Sequence, residues 1–102
     1  MTLSDMSSPR RVVITGLGAV TSIGTGVAEF LGGLRAGRSG AKPVTSFDVT
    51  GFEHAQGCEI DDFDAASYVH NLPLREYGRA SHFAAAAARM AVEDAGLPAH
   101  DL

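Results

Sequence analysis

Arg11-Val12-Val13-Ile14-Thr15-Gly16-Leu17-Gly18-Ala19-Val20-Thr21-Ser22-Ile23-Gly24 opens with an apolar, β-branched run that stops at glycine. A strand buried on both faces has this composition, so a first strand is predicted over 11–15. Four glycines between Gly16 and Gly26 permit backbone geometry that other residues avoid, which predicts a tight, packed loop. Thr25 stands where a helix cap belongs. Val27, Phe30, Leu31 and Leu34 then recur at i, i+3, i+4 and i+7, Glu29 falls in the first turn and Gly37 closes the segment. An outer helix is therefore predicted over Val27–Ala36. Its interior pair Gly32-Gly33 costs about 1 kcal/mol per residue relative to alanine, which implies another backbone passing close by.

Downstream, residues 38–54 show no sustained period and contain Pro43, Phe47 and Phe52, the pattern of a long packed loop. Ala55-Gln56-Gly57-Cys58-Glu59-Ile60 alternates weakly and predicts one more strand, ended by Asp61-Asp62. Irregular chain with some helical turn follows as far as Gly78. In the last helix Ala80, Phe83, Ala84, Ala87, Met90 and Ala91 share one side, with His82, Arg89 and Glu93 elsewhere around it. Ala95-Gly96-Leu97-Pro98 supplies the glycine, apolar residue and proline that stop a helix near Asp94 or Ala95.

The chain has 102 residues, enough for one small domain and too few for two. With 45% hydrophobic and 20% charged residues its composition is that of a globular protein. Two short strands and two helices are nevertheless joined by connections longer than the roughly 12–15 residues that compact domains tolerate without structure of their own. The chain reads as the opening of something larger. A net charge of -4 has the wrong sign for holding nucleic acid or an anionic bilayer by bulk charge, and no run approaches a membrane span. MTLSDMSSPR lacks the apolar core of a signal peptide, and residues 1–9 are expected to form a flexible tail. A single cysteine excludes an intrachain disulfide, so a cytoplasmic setting is expected.

Several residues invite chemistry. A predicted strand, Gly16-x-Gly18 and a helix resemble the start of a dinucleotide-binding fingerprint, but the third glycine is replaced by Thr21, and Arg35 to Arg38 occupy the zone of the ribose-binding acid. A structural turn is preferred. Cys58 with His54 would make a nucleophile and base, yet at i and i+4 on a strand they stand about 13 Å apart. Cys58 is expected to be a small buried hydrophobe. His54, His70, His82 and His100 lack metal-ligand spacing, and His82 is expected to cap or border the last helix. Asp61, Asp62 and Asp64 lack the glycine and terminal glutamate of a calcium loop and read as a solvated turn. Arg75, Arg79 and Arg89 form either a basic strip for an acidic partner or intrachain ion pairs, the latter being favoured.

Three blocks, Arg10 to Thr21 (RRVVITGLGAVT), Leu34 to Gly40 (LRAGRSG) and Phe47-Asp48, together with the last helix from Arg79-Ala80-Ser81-His82 to Gly96-Leu97, resemble the opening of a β-ketoacyl-acyl-carrier-protein synthase. The likeness runs from about Arg10 to Leu97 and is nearest to elongation-type fatty-acid enzymes and type II polyketide ketosynthases. It implies that residues 10–102 are the N-terminal portion of a thiolase-like, layered α/β/α/β/α fold, incomplete in this chain and normally dimeric. It also implies an α/β scaffold role in an acyltransferase that joins an acyl thioester to a malonyl unit by decarboxylative Claisen condensation. The family's nucleophilic cysteine and two catalytic histidines come later in its sequence, so no residue here is assigned a catalytic, cofactor-binding or metal-binding role. The implied partners are an acyl carrier protein, the remainder of the ketosynthase, and a second subunit in a homodimer or in a heterodimer with a chain-length factor. Gly78 and His82 replace an aspartate and a glutamine common in the family, which makes a divergent polyketide member or a non-catalytic chain-length partner more plausible. A stand-alone module that binds a partner through exposed apolar faces is the rival from another class.

Overall fold

The computed structural model describes residues 8–98; most of the expected N-terminal tail and His100 lie outside them. Among the described residues two α-helices, α1 (Val27–Arg35) and α2 (Arg79–Asp94), accompany four two-residue strands, β1 (Val20–Thr21), β2 (Gly24–Thr25), β3 (Lys42–Pro43) and β4 (Gln56–Gly57). Single 3₁₀ turns at Ala65–Ser67 and Leu74–Glu76 account for the helical turn expected in the irregular stretch.

The glycine loop is a hairpin. Strands β1 and β2 pair antiparallel, with Val20 opposite Thr25 and Thr21 opposite Gly24, around a two-residue turn at Ser22-Ile23. Thr21 Oγ1 donates to the Gly24 carbonyl at 2.8 Å and accepts from Ile23 N–H at 3.3 Å, while Gly26 N–H reaches the Ala19 carbonyl at 2.8 Å. Helix α1 begins at once. Its cap is Gly26, at φ 90°, and not Thr25. Thr25 contributes its own backbone N–H, held by Glu29 Oε2 at 3.0 Å, because glutamate in the first turn can fold back over the helix start.

Both helices end in the same way. In α1, Arg38 N–H bonds to the Gly33 carbonyl at 2.9 Å and Gly37 N–H to Leu34 at 3.1 Å, with Gly37 at φ 67°. In α2, Leu97 N–H bonds to Val92 at 3.1 Å and Gly96 N–H to Glu93 at 3.0 Å, with Gly96 at φ 73°. A left-handed residue turns two orphan carbonyls onto donors at each end, and glycine adopts that conformation without a Cβ penalty.

The interior pair of α1 splits. Gly33 is buried, and a Cβ there would sit 2.7 Å from the Ile23 carbonyl oxygen, so the close backbone is the hairpin turn just before the helix. Gly32 faces open space. Gly32→Ala is therefore expected to stabilise the protein by about 0.5–1 kcal/mol, and Gly33→Ala to destabilise it. Denaturant midpoints of the two variants on opposite sides of the wild type would bear this out, and equal shifts would contradict it.

The predicted strand over 11–15 is not formed. Val12, Val13 and Ile14 are 87%, 74% and 81% exposed. A strand exists only through its ladder, and no described segment lies alongside this run to complete one. The strand expected over Ala55–Ile60 shrinks to Gln56–Gly57, whose partner, Lys42–Pro43, lies within the stretch expected to be loop. Val44 N–H, bonded to the Ala55 carbonyl at 2.9 Å, extends that pairing by one link.

The core is small. Phe63, Val69 and Ala86 are buried, and Val20, Ile60, Tyr68, Leu74, Phe83 and Met90 are among the residues packed around them. Phe63 stacks on Tyr68 at 5.5 Å and meets Phe83 edge to face at 5.1 Å. On α2 the fully buried residue is Ala86, whereas Ala80 and Ala84 are exposed, so the buried side is rotated from the one expected. Leu31, Leu34, Phe47, Phe52 and Leu97 remain exposed. The radius of gyration is 18.5 Å, against about 13 Å for a compact domain of this length. The accessible surface is 7848 Å², where a compact protein of this mass presents about 5,500 Å².

Candidate functional site

Helix α2 organises everything that surrounds it. The Gly16-Leu17-Gly18 segment lies along its C-terminal half, where a Cβ on Gly16 would overlap the Ala91 carbonyl oxygen and one on Gly18 the Ala87 carbonyl oxygen. Leu17 N–H donates to Asp94 Oδ2 at 2.9 Å. These glycines bring one backbone onto another, and Asp94 already holds the Leu17 donor that a phosphate would need. Their role is the structural turn preferred from the sequence. The acid at position 94 was not singled out beforehand, because nothing local distinguishes it from a solvated helix end.

At the other end of α2, Arg79 Nη2 donates to the Ile60 carbonyl at 2.6 Å, and its guanidinium lies 5.0 Å from the centre of the Phe83 ring. Arg79 thereby ties the exit of β4 to the start of α2. Arg89 pairs with Glu93 at 3.0 Å, whereas Arg75 makes no ion pair among the described residues. Of the three arginines expected to form ion pairs, one does so. Arg79 serves a backbone carbonyl and a ring instead, because its nearest acceptor is the carbonyl of Ile60.

A concavity of about 430 Å³ beside Arg79 is lined by Ser46, Cys58, Glu59, Ile60, Asp61 and Phe83. Cys58 is exposed, contrary to the expectation of a buried hydrophobe, because β4 ends at Gly57 and leaves it beyond the paired residues, on the wall of this concavity. No hydrogen bond joins it to His54 among the described residues. Glu59 is the organising acid here: it accepts Thr45 N–H at 2.8 Å and Ser46 N–H at 3.2 Å. Bonds from Ser46 first, then from the Thr45 backbone, with a smaller contribution from the Lys42 charge, hold its carboxyl below the ordinary glutamate value. A side chain that faces its own neighbours across a hairpin has no signature in sequence, and Glu59 was missed for that reason.

The sign of the Glu59 effect follows from linkage. Its folded-state pKa is depressed, so its contribution is complete above the unfolded pKa and is lost as pH falls through the folded one. The Thr45 and Ser46 amides are expected to stay protected from hydrogen exchange into mildly acidic solution and to lose protection below the ordinary carboxylate range. In Glu59→Gln that acid transition should vanish. An unchanged transition in the variant would assign it to another group.

Asp61 pairs with Lys42, and Asp64 caps the first 3₁₀ turn, its Oδ1 accepting Ala66 N–H at 3.2 Å and its Oδ2 the Ser67 hydroxyl at 2.9 Å. All three acids, Asp61, Asp62 and Asp64, are exposed as expected, but two of them are engaged with partners and the segment is not a turn. Among the described residues no three His, Cys, Asp or Glu side chains gather as metal ligands would, and no helix is long and apolar enough to cross a membrane. His82 lies within α2, whose cap is Gly78, and does not cap or border the helix as expected; it is half-buried, with Nε2 2.8 Å from the Leu74 carbonyl oxygen. Beside it, a largely apolar cavity of about 210 Å³ lies between residues 68–72 and Ala85, Ala88 and Arg89 of α2.

Comparison with known proteins places this arrangement. The family model described as beta-ketoacyl synthase, N-terminal domain, matches residues 9–102. The chain is 39% identical over 93 residues to 3-oxoacyl-[acyl-carrier-protein] synthase 2 of Synechocystis sp., covering 91% of this chain and 22% of that protein. It is 40% identical over 92 residues to the tetracenomycin polyketide synthase ketoacyl synthase beta subunit of Streptomyces glaucescens, covering 90% of this chain and 22% of that one. A solved structure, the ishigamide ketosynthase/chain length factor, superposes with a TM-score of 0.83 at 56% identity, covering 93% of this chain and 24% of the other. The chain thus spans less than a quarter of the length of these relatives, and its glycine loop, hairpins and alanine-rich helix are parts of a larger design: it belongs to the β-ketoacyl synthase family, within that family's N-terminal domain.

Proposed function

We propose that residues 10–102 are a scaffold segment of a condensing enzyme with the thiolase-like layered fold, acting in the cytoplasm. The whole protein would join an acyl thioester to malonyl-acyl-carrier protein by decarboxylative Claisen condensation. The observation that carries this is the exposed Val12-Val13-Ile14 run, apolar on both faces and leading directly into a glycine loop seated on α2. Such a run needs neighbours on both sides, and the family supplies an assembly in which they exist. The catalytic cysteine and histidines would then come from beyond this chain, which contributes strand, outer helix and alanine-rich helix to the framework.

Likeness to a ketosynthase/chain length factor at 56% identity favours a polyketide-type heterodimer over a fatty-acid homodimer. Gly78 and His82, at positions where the family commonly has aspartate and glutamine, support the same choice and keep a non-catalytic chain-length partner as the second reading. Native mass spectrometry of the purified protein is expected to show a mass well above 10.6 kDa, from a longer polypeptide or a second subunit. That material should release carbon dioxide from malonyl-carrier protein in the presence of an acyl donor. A lone, folded 10.6 kDa species would overturn the proposal and favour a stand-alone binding module.

A further inference from the structure

Residues 70–78 cross the N-terminal half of α2 as a strap, and all of them except Leu74 are exposed. Leu74 carries the attachment twice. Its side chain packs against the Phe63, Val69 and Ala86 cluster, and its carbonyl oxygen receives both Tyr77 N–H, at 3.3 Å, and His82 Nε2, at 2.8 Å. The first of these bonds closes the 3₁₀ turn on itself, whereas the second is a polar link from α2 to that turn. A carbonyl oxygen only accepts, and the imidazole must therefore carry its proton on Nε2.

One to two helical turns further along α2, Ala85, Ala88 and Arg89 line the apolar cavity, and the strap's own Asn71 and Leu72 form part of its opposite wall. Movement of the strap away from α2 would widen that cavity into an apolar groove. We propose that His82 is a latch on this strap: its Nε2–H bond to the Leu74 carbonyl holds the 70–78 segment against α2 and keeps the cavity narrow. The latch depends only on contacts within the described residues, and so stands apart from the condensing-enzyme proposal.

Hydrogen exchange read by mass spectrometry on the full-length protein in its native assembly tests this. Loss of one partly buried hydrogen bond should accelerate exchange of the Glu76 and Tyr77 amides about fivefold. His82→Leu, which keeps the bulk and removes the donor, is expected to show that acceleration with exchange across residues 83–94 unchanged. His82→Gln, whose amide nitrogen reaches a similar distance, is expected to restore the wild-type rate. Exchange in His82→Leu within twofold of the wild type would overturn the latch, as would equal acceleration in the glutamine variant. Nitrogen-15 labelling of histidine in the unmutated protein gives a check that requires no variant to fold, since a neutral ring protonated on Nδ1 would overturn it too.

Discussion

Val13→Asp is expected to abolish assembly of the protein, although Val13 is 74% exposed in this chain. An aspartate on a free surface changes stability by no more than about 0.5 kcal/mol. Were the run over 11–15 completed by strands from the rest of a ketosynthase, the same carboxylate would be buried without a partner. Breaking burial in that way costs several kcal/mol, a large share of the 5–15 kcal/mol or so by which domains are stable. The measurement is soluble yield and thermal midpoint of the full-length protein. A Val13→Asp variant that melts with the wild type would show that the run is solvent-exposed in the assembly, and the scaffold proposal would fall.

Gly18→Ala is the second large effect. The new Cβ would overlap the Ala87 carbonyl oxygen while lying 2.9 Å from the Ala87 carbonyl carbon and 3.0 Å from Ala91 N. Every one of these atoms is helix backbone, which cannot swing aside as a flexible side chain can. The loop must lift off α2, taking with it the Leu17 bond to Asp94. Overpacking of this kind costs about 1–3 kcal/mol where neighbours adjust, and the backbone contact puts this case at the upper end or above. Denaturant unfolding of the variant should show that loss, whereas a loop serving only to bind phosphate would lose ligand and keep its stability. Wild-type stability in Gly18→Ala would mean that the glycine loop is not seated on the helix.

Sequence alone determined whatever is settled within a few residues. Gly37 and Gly96 marked the two helix ends because a left-handed glycine closes a helix through bonds to carbonyls only three to five residues back. The periodicities of α1 and α2 are equally local, and the excess of long connections is read from the same local patterns. Tertiary structure decided what depends on a distant partner. The 11–15 run has strand composition and no ladder, Lys42–Pro43 has little strand composition and pairs with Gln56–Gly57, and Gly16 and Gly18 owe their spacing to carbonyls more than 65 residues away. Cys58 turned outward, Glu59 became a clasp and His82 a link to Leu74 for the same reason. Residue type limits what a side chain can do, but its exposure and its bonding partner are set by which other segment the fold brings alongside it.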